Sequence, residues 1–106
     1  MIKFKIPKKI NILGSNYKVI RNKSHAGGVF STGDNTIEIG TRNLKTDPCW
    51  TFQILVHEIS EIIHVMLCTR YDDYSVKGNY RFFMDHKGFD NHNQILNGII
   101  YNQIIK

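Results

Sequence analysis

The sequence predicts an α+β domain in which a small antiparallel or mixed sheet from the N-terminal half packs on two helices. Three observations support this prediction. Short apolar–polar alternations, separated by glycine-containing turns, occupy the first forty residues, as in half-buried strands. A long apolar segment runs from Pro48 to Cys68, and a second helical pattern extends from Asp85 to about Ile104. The length of 106 residues suits one domain, residues 1–106, with one core.

The N-terminal region predicts one strand followed by two hairpins. Residues 1–6 alternate apolar and basic side chains, as a half-buried strand does. The first hairpin has strands at 10–13 and 17–20 with its turn at 14–16, and the second has strands at 29–31 and 36–39 with its turn at 33–35. Because Ile37 and Ile39 alternate with polar residues, we expect this last strand to have one wet face.

The central helix has a clear predicted start, since Asp47 is a good N-cap and Pro48 suits the first helical position. One broad side is apolar, formed by Phe52, Leu55, Ile59, Ile62, Ile63 and Met66. Further apolar residues widen this face, so the helix is apolar nearly all round and we expect it to be largely buried: Ile54, Val56, Val65 and Leu67. After it, residues 71–75 and 77–79 are loop-like, and 80–84 suit a short strand. In the second helix, Phe89, Leu96, Ile99 and Ile100 are predicted to face inward.

Charge and cysteine usage limit the class of protein. The net charge is +5, and residues 1–33 contain seven Lys or Arg and no acid. This basic end could bind nucleic acid or an acidic partner, but we favour a solvated, lysine-rich pair of strands. Cys49 and Cys68 lie near opposite ends of the helix, too far apart for a disulfide, which indicates a reducing compartment. With no apolar run long enough to span a membrane, we expect a cytoplasmic protein.

The most informative residues are His57, Glu58 and Glu61 on the central helix. His57 and Glu61 are four residues apart, so their side chains stand one above the other, close enough to bind one ion. Glu58 lies beside them, where a general base would act on a water. The order His-Glu-x-x-ligand on a helix is typical of zinc hydrolases, although Glu61 stands where a histidine is usual. An ordinary exposed His–Glu pair is the alternative.

A catalytic zinc usually has three protein ligands, so another residue must complete the set. His64 shares the face of His57 but lies about 10 Å along the helix axis, too far to bind the same ion. His25 lies in a glycine-containing loop, and no pattern in the sequence supports it as the third ligand. Of the two histidines in the second helix we prefer His86, because the preceding strand can aim a ligand at a helix start. His92 is the reserve.

The chain resembles small zincin-like metallopeptidase domains of phages and mobile elements, some of which have glutamate at the second ligand position. The resemblance is carried by residues 54–63, which contain the His57…Glu61 pair, and by residues 83–89 leading to Leu96 and Ile100. It implies a zincin-like fold, metal ligands at His57, Glu61 and His86, and a general base at Glu58. It also implies a strand around 37–39 that borders the cleft and pairs with an extended peptide.

From this resemblance we expect a zinc-dependent peptidase or hydrolase that acts on a peptide or protein in a host cytosol. Another divalent ion could replace zinc, because Glu61 makes the ligand set anionic. Two alternatives remain. One is a non-enzymatic basic module that binds nucleic acid or an acidic protein, and the other keeps the metal in a purely structural role.

Overall fold

The computed structural model describes residues 3–72 and 80–105. Its larger sheet contains β1 (Lys9–Ile12), β2 (Ser15–Asn22), β3 (Gly28–Ser31) and β4 (Thr36–Gly40), in the order β1-β2-β4-β3. The helices are α1 (Pro48–Met66) and α2 (His86–Gln103), and between them β5 (Arg70–Asp72) pairs with β6 (Tyr80–Phe82). The mixed sheet and two helices confirm the predicted α+β class.

A tight turn joins β1 to β2, which are antiparallel. Ile12 pairs with Ser15, so only Leu13 and Gly14 form the loop, and their φ angles are 50° and 90°. Two consecutive residues with positive φ are typical of the type I′ turn, whose twist matches that of the flanking strands. The predicted hairpin is therefore confirmed, although its turn begins at Leu13 and β2 already begins at Ser15.

The second predicted hairpin is also present, but its last strand lies inside the sheet. β4 is antiparallel to β3 and parallel to β2. Ile37 and Ile39 are fully buried, whereas Thr36 and Glu38 are half-buried, so the strand has one core face. The prediction that this strand pairs with a peptide is wrong, because β4 is hydrogen-bonded on both sides. The strand at that edge of the sheet is β3.

The core lies between the sheet and the two helices. Asp47 caps α1 by accepting a hydrogen bond from the Trp50 amide at 3.2 Å, and Asp85 caps α2 by accepting from the Gly88 amide at 2.8 Å. Both predicted helices are thus confirmed, with α1 ending at Met66. Buried apolar side chains come from every layer: Ile6, Ile10, Ile12, Tyr17, Val19, Ile37, Ile39, Leu55, Ile59, Ile62, Ile63, Ile99 and Ile104. The inward orientation predicted for Phe89 is wrong, because its side chain is 50% exposed.

Two other local predictions are corrected. Within residues 3–8 there is no regular strand: Phe4 forms an isolated bridge with Ile105, and the Lys5 amide donates to the Ile104 carbonyl at 3.1 Å. This segment therefore lies beside residues 104 and 105 and is not paired with a neighbouring strand of the sheet. The loop predicted from residue 71 is wrong at its start, since Arg70–Asp72 is a strand; the rest of that prediction, at 73–79, lies outside the described residues.

Both cysteines are free and exposed, as expected from their separation on α1. Within residues 3–72 and 80–105, neither helix combines the length and apolar character that crossing a bilayer requires.

Candidate metal centre

One face of α1 brings three potential ligands together. The Nε2 atom of His57 lies 2.7 Å from Oε2 of Glu61 and 3.9 Å from Oε2 of Glu58. One ligand atom from each of the three residues lies within 4.8 Å of the other two. The i,i+4 spacing places His57 and Glu61 one turn apart, and Glu58 adds its carboxylate from the neighbouring stripe.

These side chains line a cavity of about 780 Å³ between α1 and the edge of the sheet. Residues 28–33, which include β3, form the opposite wall, and Ile54, Arg70 and Tyr80 complete the lining. His57 is 62% exposed, whereas the side chains of Glu58 and Glu61 are 6% and 17% exposed. The imidazole is therefore open to solvent while both carboxylates are recessed.

Gly28 determines how closely β3 approaches this group. A Cβ atom at this position would lie 2.8 Å from Cγ2 of Ile54 and 3.0 Å from Cγ of Glu58. The loop before it is fixed to α1, because Nε1 of Trp50 donates to the Ala26 carbonyl at 2.9 Å. The glycine pair at 27–28 indicates a loop in the sequence, but only the fold shows that Gly28 contacts Glu58.

Burial shifts the proton affinity of Glu58. Desolvation raises the pKa of its carboxyl group, and the nearby charge of Glu61 raises it further. His57 and Arg70 act in the opposite direction. The net result is a raised pKa, so Glu58 holds a proton more readily than an ordinary glutamate.

Arg70 is a member of the site that the sequence did not reveal. Its Nε atom lies 3.7 Å from Oε1 of Glu61, and its guanidinium carbon lies 3.5 Å from the centre of the Tyr80 ring and 5.3 Å from that of Phe30. α1 is followed by Cys68 with a φ of 59°, after which β5 begins at Arg70. No regular periodicity relates residue 70 to residue 61 across this reversal.

The two candidate third ligands on α2 lie outside the group. His86 is 90% exposed, and its Nδ1 atom lies 3.6 Å from Oδ2 of Asp90. It neither lines the cavity nor belongs to the three-residue group. His92 is 4% exposed, with Nε2 at 3.2 Å from the Ser60 hydroxyl and 3.3 Å from the Ser60 carbonyl oxygen. The structure therefore brings together His57, Glu58 and Glu61 but does not add either α2 histidine.

His92 instead stacks on His64, with ring centres 4.2 Å apart and an interplanar angle of 26°. The Thr69 hydroxyl donates to the His64 carbonyl at 3.2 Å, so its oxygen accepts the Nδ1–H of His64 at 2.8 Å. Phe82 packs on the same imidazole at 4.4 Å. Desolvation lowers the pKa of His64, and the proximity of His92 lowers it further, while Glu61 opposes the shift.

The donor set of the centre suits a divalent ion. It contains an imidazole nitrogen from His57 and a carboxylate oxygen from Glu61, the ligand types that zinc and other divalent ions accept, and the carboxylate of Glu58 lies beside them. A scan against protein-family models, a search of curated proteins and a search of solved structures each gave no match to this chain. Functional inference therefore depends on the site itself.

Proposed function

We propose that this chain is a zincin-like, metal-dependent hydrolase that cleaves peptides or proteins. The observation that supports the proposal is the convergence of His57, Glu58 and Glu61 on a cavity that faces an exposed sheet edge. His57 and Glu61 would hold zinc, or another divalent ion, through Nε2 and Oε2. His86, the third ligand that the resemblance implies, lies outside this group, so the metal analysis below tests it separately.

The catalytic chemistry divides between the ion and Glu58. A bound divalent ion lowers the pKa of a coordinated water and polarises a carbonyl group. Glu58 would accept a proton from the attacking water and deliver it to the leaving nitrogen.

The substrate would lie extended along β3. Gly28–Ser31 forms an edge strand at the cavity wall, so its outward amide and carbonyl groups are available to a peptide backbone. The absence of a side chain at Gly28 lets the β3 backbone pack closely against Ile54 and Glu58. A peptide bond aligned with β3 would pass in front of both carboxylates.

The decisive experiment is elemental analysis of purified wild-type protein with four variants. We expect about one zinc or other divalent ion per chain in the wild type, loss of metal in His57→Ala and Glu61→Gln, and retention in His25→Ala, a control at an exposed histidine outside the group. Weakened binding in His86→Ala would support that residue as the third ligand. Equal, near-zero metal in the wild type and His57→Ala would contradict the proposal.

Activity is tested separately with Glu58→Gln on an unfolded protein substrate. We expect metal to be retained and hydrolysis to fall about 10²–10⁴-fold, since the variant lacks the proton acceptor. Retained metal with unchanged hydrolysis would exclude Glu58 as the base. If the wild type binds metal but hydrolyses nothing, the structural-metal alternative is favoured.

A second candidate function is a binding module for nucleic acid or an acidic protein. Lys9 and Lys18 are direct cross-strand partners in β1 and β2, and both are exposed. Like charges in this position are destabilising, and an anionic partner would relieve the repulsion. Salt-dependent binding of an oligonucleotide that is lost in Lys9→Gln/Lys18→Gln, but kept in Glu58→Gln, would support this function.

A further inference from the structure

Arg70 carries a positive charge at the second oxygen of a proposed metal ligand. Glu61 directs Oε2 toward His57 at 2.7 Å, and Nε of Arg70 lies 3.7 Å from the other oxygen, Oε1. The two oxygens of one carboxylate thus face different partners. This arrangement leaves one oxygen of Glu61 toward the candidate centre.

The guanidinium is held in this position by its surroundings. Arg70 is 16% exposed, and its carbon lies over the rings of Tyr80 and Phe30. Its Nε atom is buried and makes no hydrogen bond to any of the residues that the structure describes. That atom forms an ion pair with Glu61. The guanidinium therefore lies between the Glu61 carboxylate and two aromatic faces.

The choice of metal depends on how many carboxylate oxygens, and how much negative charge, Glu61 presents to the ion. Calcium is bound by many oxygen ligands and commonly takes both oxygens of a carboxylate. Zinc uses fewer ligands and accepts a mixture of nitrogen and oxygen. A carboxylate whose charge is partly offset by a neighbouring guanidinium is a poorer ligand for calcium than a free carboxylate. The loss for zinc is smaller, because His57 supplies an imidazole.

We propose that Arg70 sets the metal preference of this centre by placing its positive charge beside Oε1 of Glu61, while Oε2 faces His57. Arg70 acts on the metal through Glu61 in this role, so it is a positioning residue. It selects zinc over hard, oxygen-preferring ions such as calcium. The inference rests on the proposed metal-binding function, and it explains how a Glu61 centre, which is anionic compared with a two-histidine centre, keeps a preference for zinc.

The test measures zinc and calcium affinities by competition with a chromophoric chelator in wild type, Arg70→Met and Arg70→Lys. We expect Arg70→Met to raise calcium affinity relative to zinc about tenfold, the lower end of effects for groups that orient metal ligands. Arg70→Lys should keep most of the wild-type ratio, because it retains the charge. Arg42→Met, which removes an exposed charge that does not line the cavity, is the matched control.

The ratio of affinities separates this role from a general loss of structure, which would weaken both ions together. Arg70→Gln provides a second uncharged variant if Arg70→Met does not fold. An unchanged ratio in the folded uncharged variants overturns the inference but leaves the proposed function in place, as does a wild type that binds calcium as tightly as zinc. A wild type that binds neither ion overturns both.

Discussion

The two halves of α1 present histidines on the same stripe and use them in opposite ways. His57 and His64 are seven residues apart, so they project in nearly the same direction. His57 is 62% exposed at a cavity, and its Nε2 atom contacts two carboxylates. His64 is 6% exposed, with His92 and Phe82 against its ring and Thr69 on its Nδ1 atom.

The difference arises from what packs against each half of the helix. The first half faces β3, which packs closely at Gly28 and forms one wall of the cavity beside Glu58. The second half faces α2 and the β5–β6 pair, which supply aromatic and hydroxyl groups. We call the half that carries His57 the open half and the half that carries His64 the closed half. A histidine in the open half is available to a ligand, and one in the closed half stabilises the fold. Helical spacing alone does not distinguish these two roles.

Replacing each histidine by alanine should reveal this division most strongly. His64→Ala removes two ring contacts and one hydrogen bond from a buried position, so we expect a loss of about 2–3 kcal/mol in the free energy of unfolding. His57→Ala should change it by less than about 0.5 kcal/mol. Urea unfolding of metal-free proteins measures both. Equal losses would show that the two halves do not differ as described.

A glycine pair provides the next test, on the open half. Gly28→Ala places a Cβ 2.8 Å from Cγ2 of Ile54 and 3.0 Å from Cγ of Glu58, so we expect destabilisation of about 1–2 kcal/mol and a displaced Glu58. Gly27→Ala meets nothing within 4 Å, and should be neutral or slightly stabilising because it restricts the unfolded chain. Thermal unfolding compares the two. Equal melting temperatures would mean that β3 shifts without cost.

The sequence predicted the elements of this fold better than their arrangement. Residues close together in the sequence were sufficient to predict α1. Asp47 and Pro48 specify its start, and a continuous apolar face specifies its burial. Residues close together in the sequence were also sufficient for both hairpins. The insertion of β4 between β2 and β3 depends on long-range pairing that no local pattern encodes. For that reason the strand expected to pair with a peptide is the one around residues 37–39, whereas the strand at the edge of the sheet is β3.

The same distinction applies to the candidate site. His57, Glu58 and Glu61 were predicted together because one helix fixes their mutual positions. Arg70 and Gly28 come from other elements, and their approach to this group depends on tertiary packing. The position of His92 also depends on tertiary packing, since its ring stacks on that of His64 on the facing helix. Residues on one rigid element are therefore the ones that a single sequence predicts best.

The smallest expected effect is the pH dependence that His64 gives to stability. Its pKa lies below the usual value of 6.5, first because burial disfavours the charged ring and second because His92 lies against it, with Glu61 acting weakly in the opposite direction. The unfolded chain therefore binds a proton before the folded one does. Stability from this group is complete above about pH 6.5 and is lost as the pH falls through the lowered pKa, by at most about 1.4 kcal/mol per pH unit.

Comparison of wild type with a His64 variant separates the pH-dependent stability due to His64 from that due to other groups. Glu58 acts with the opposite sign, because a raised carboxyl pKa gives stability below the usual value of 4.5 that is lost as the pH rises. Urea unfolding at several pH values between 7.5 and about 5 would therefore compare wild type with His64→Gln, in which the titrating group is absent. The difference between the two proteins should shrink as the pH falls. A constant offset for His64→Gln would show that the closed half of α1 accommodates a charged imidazole, and the contrast with His57 would then be one of packing alone.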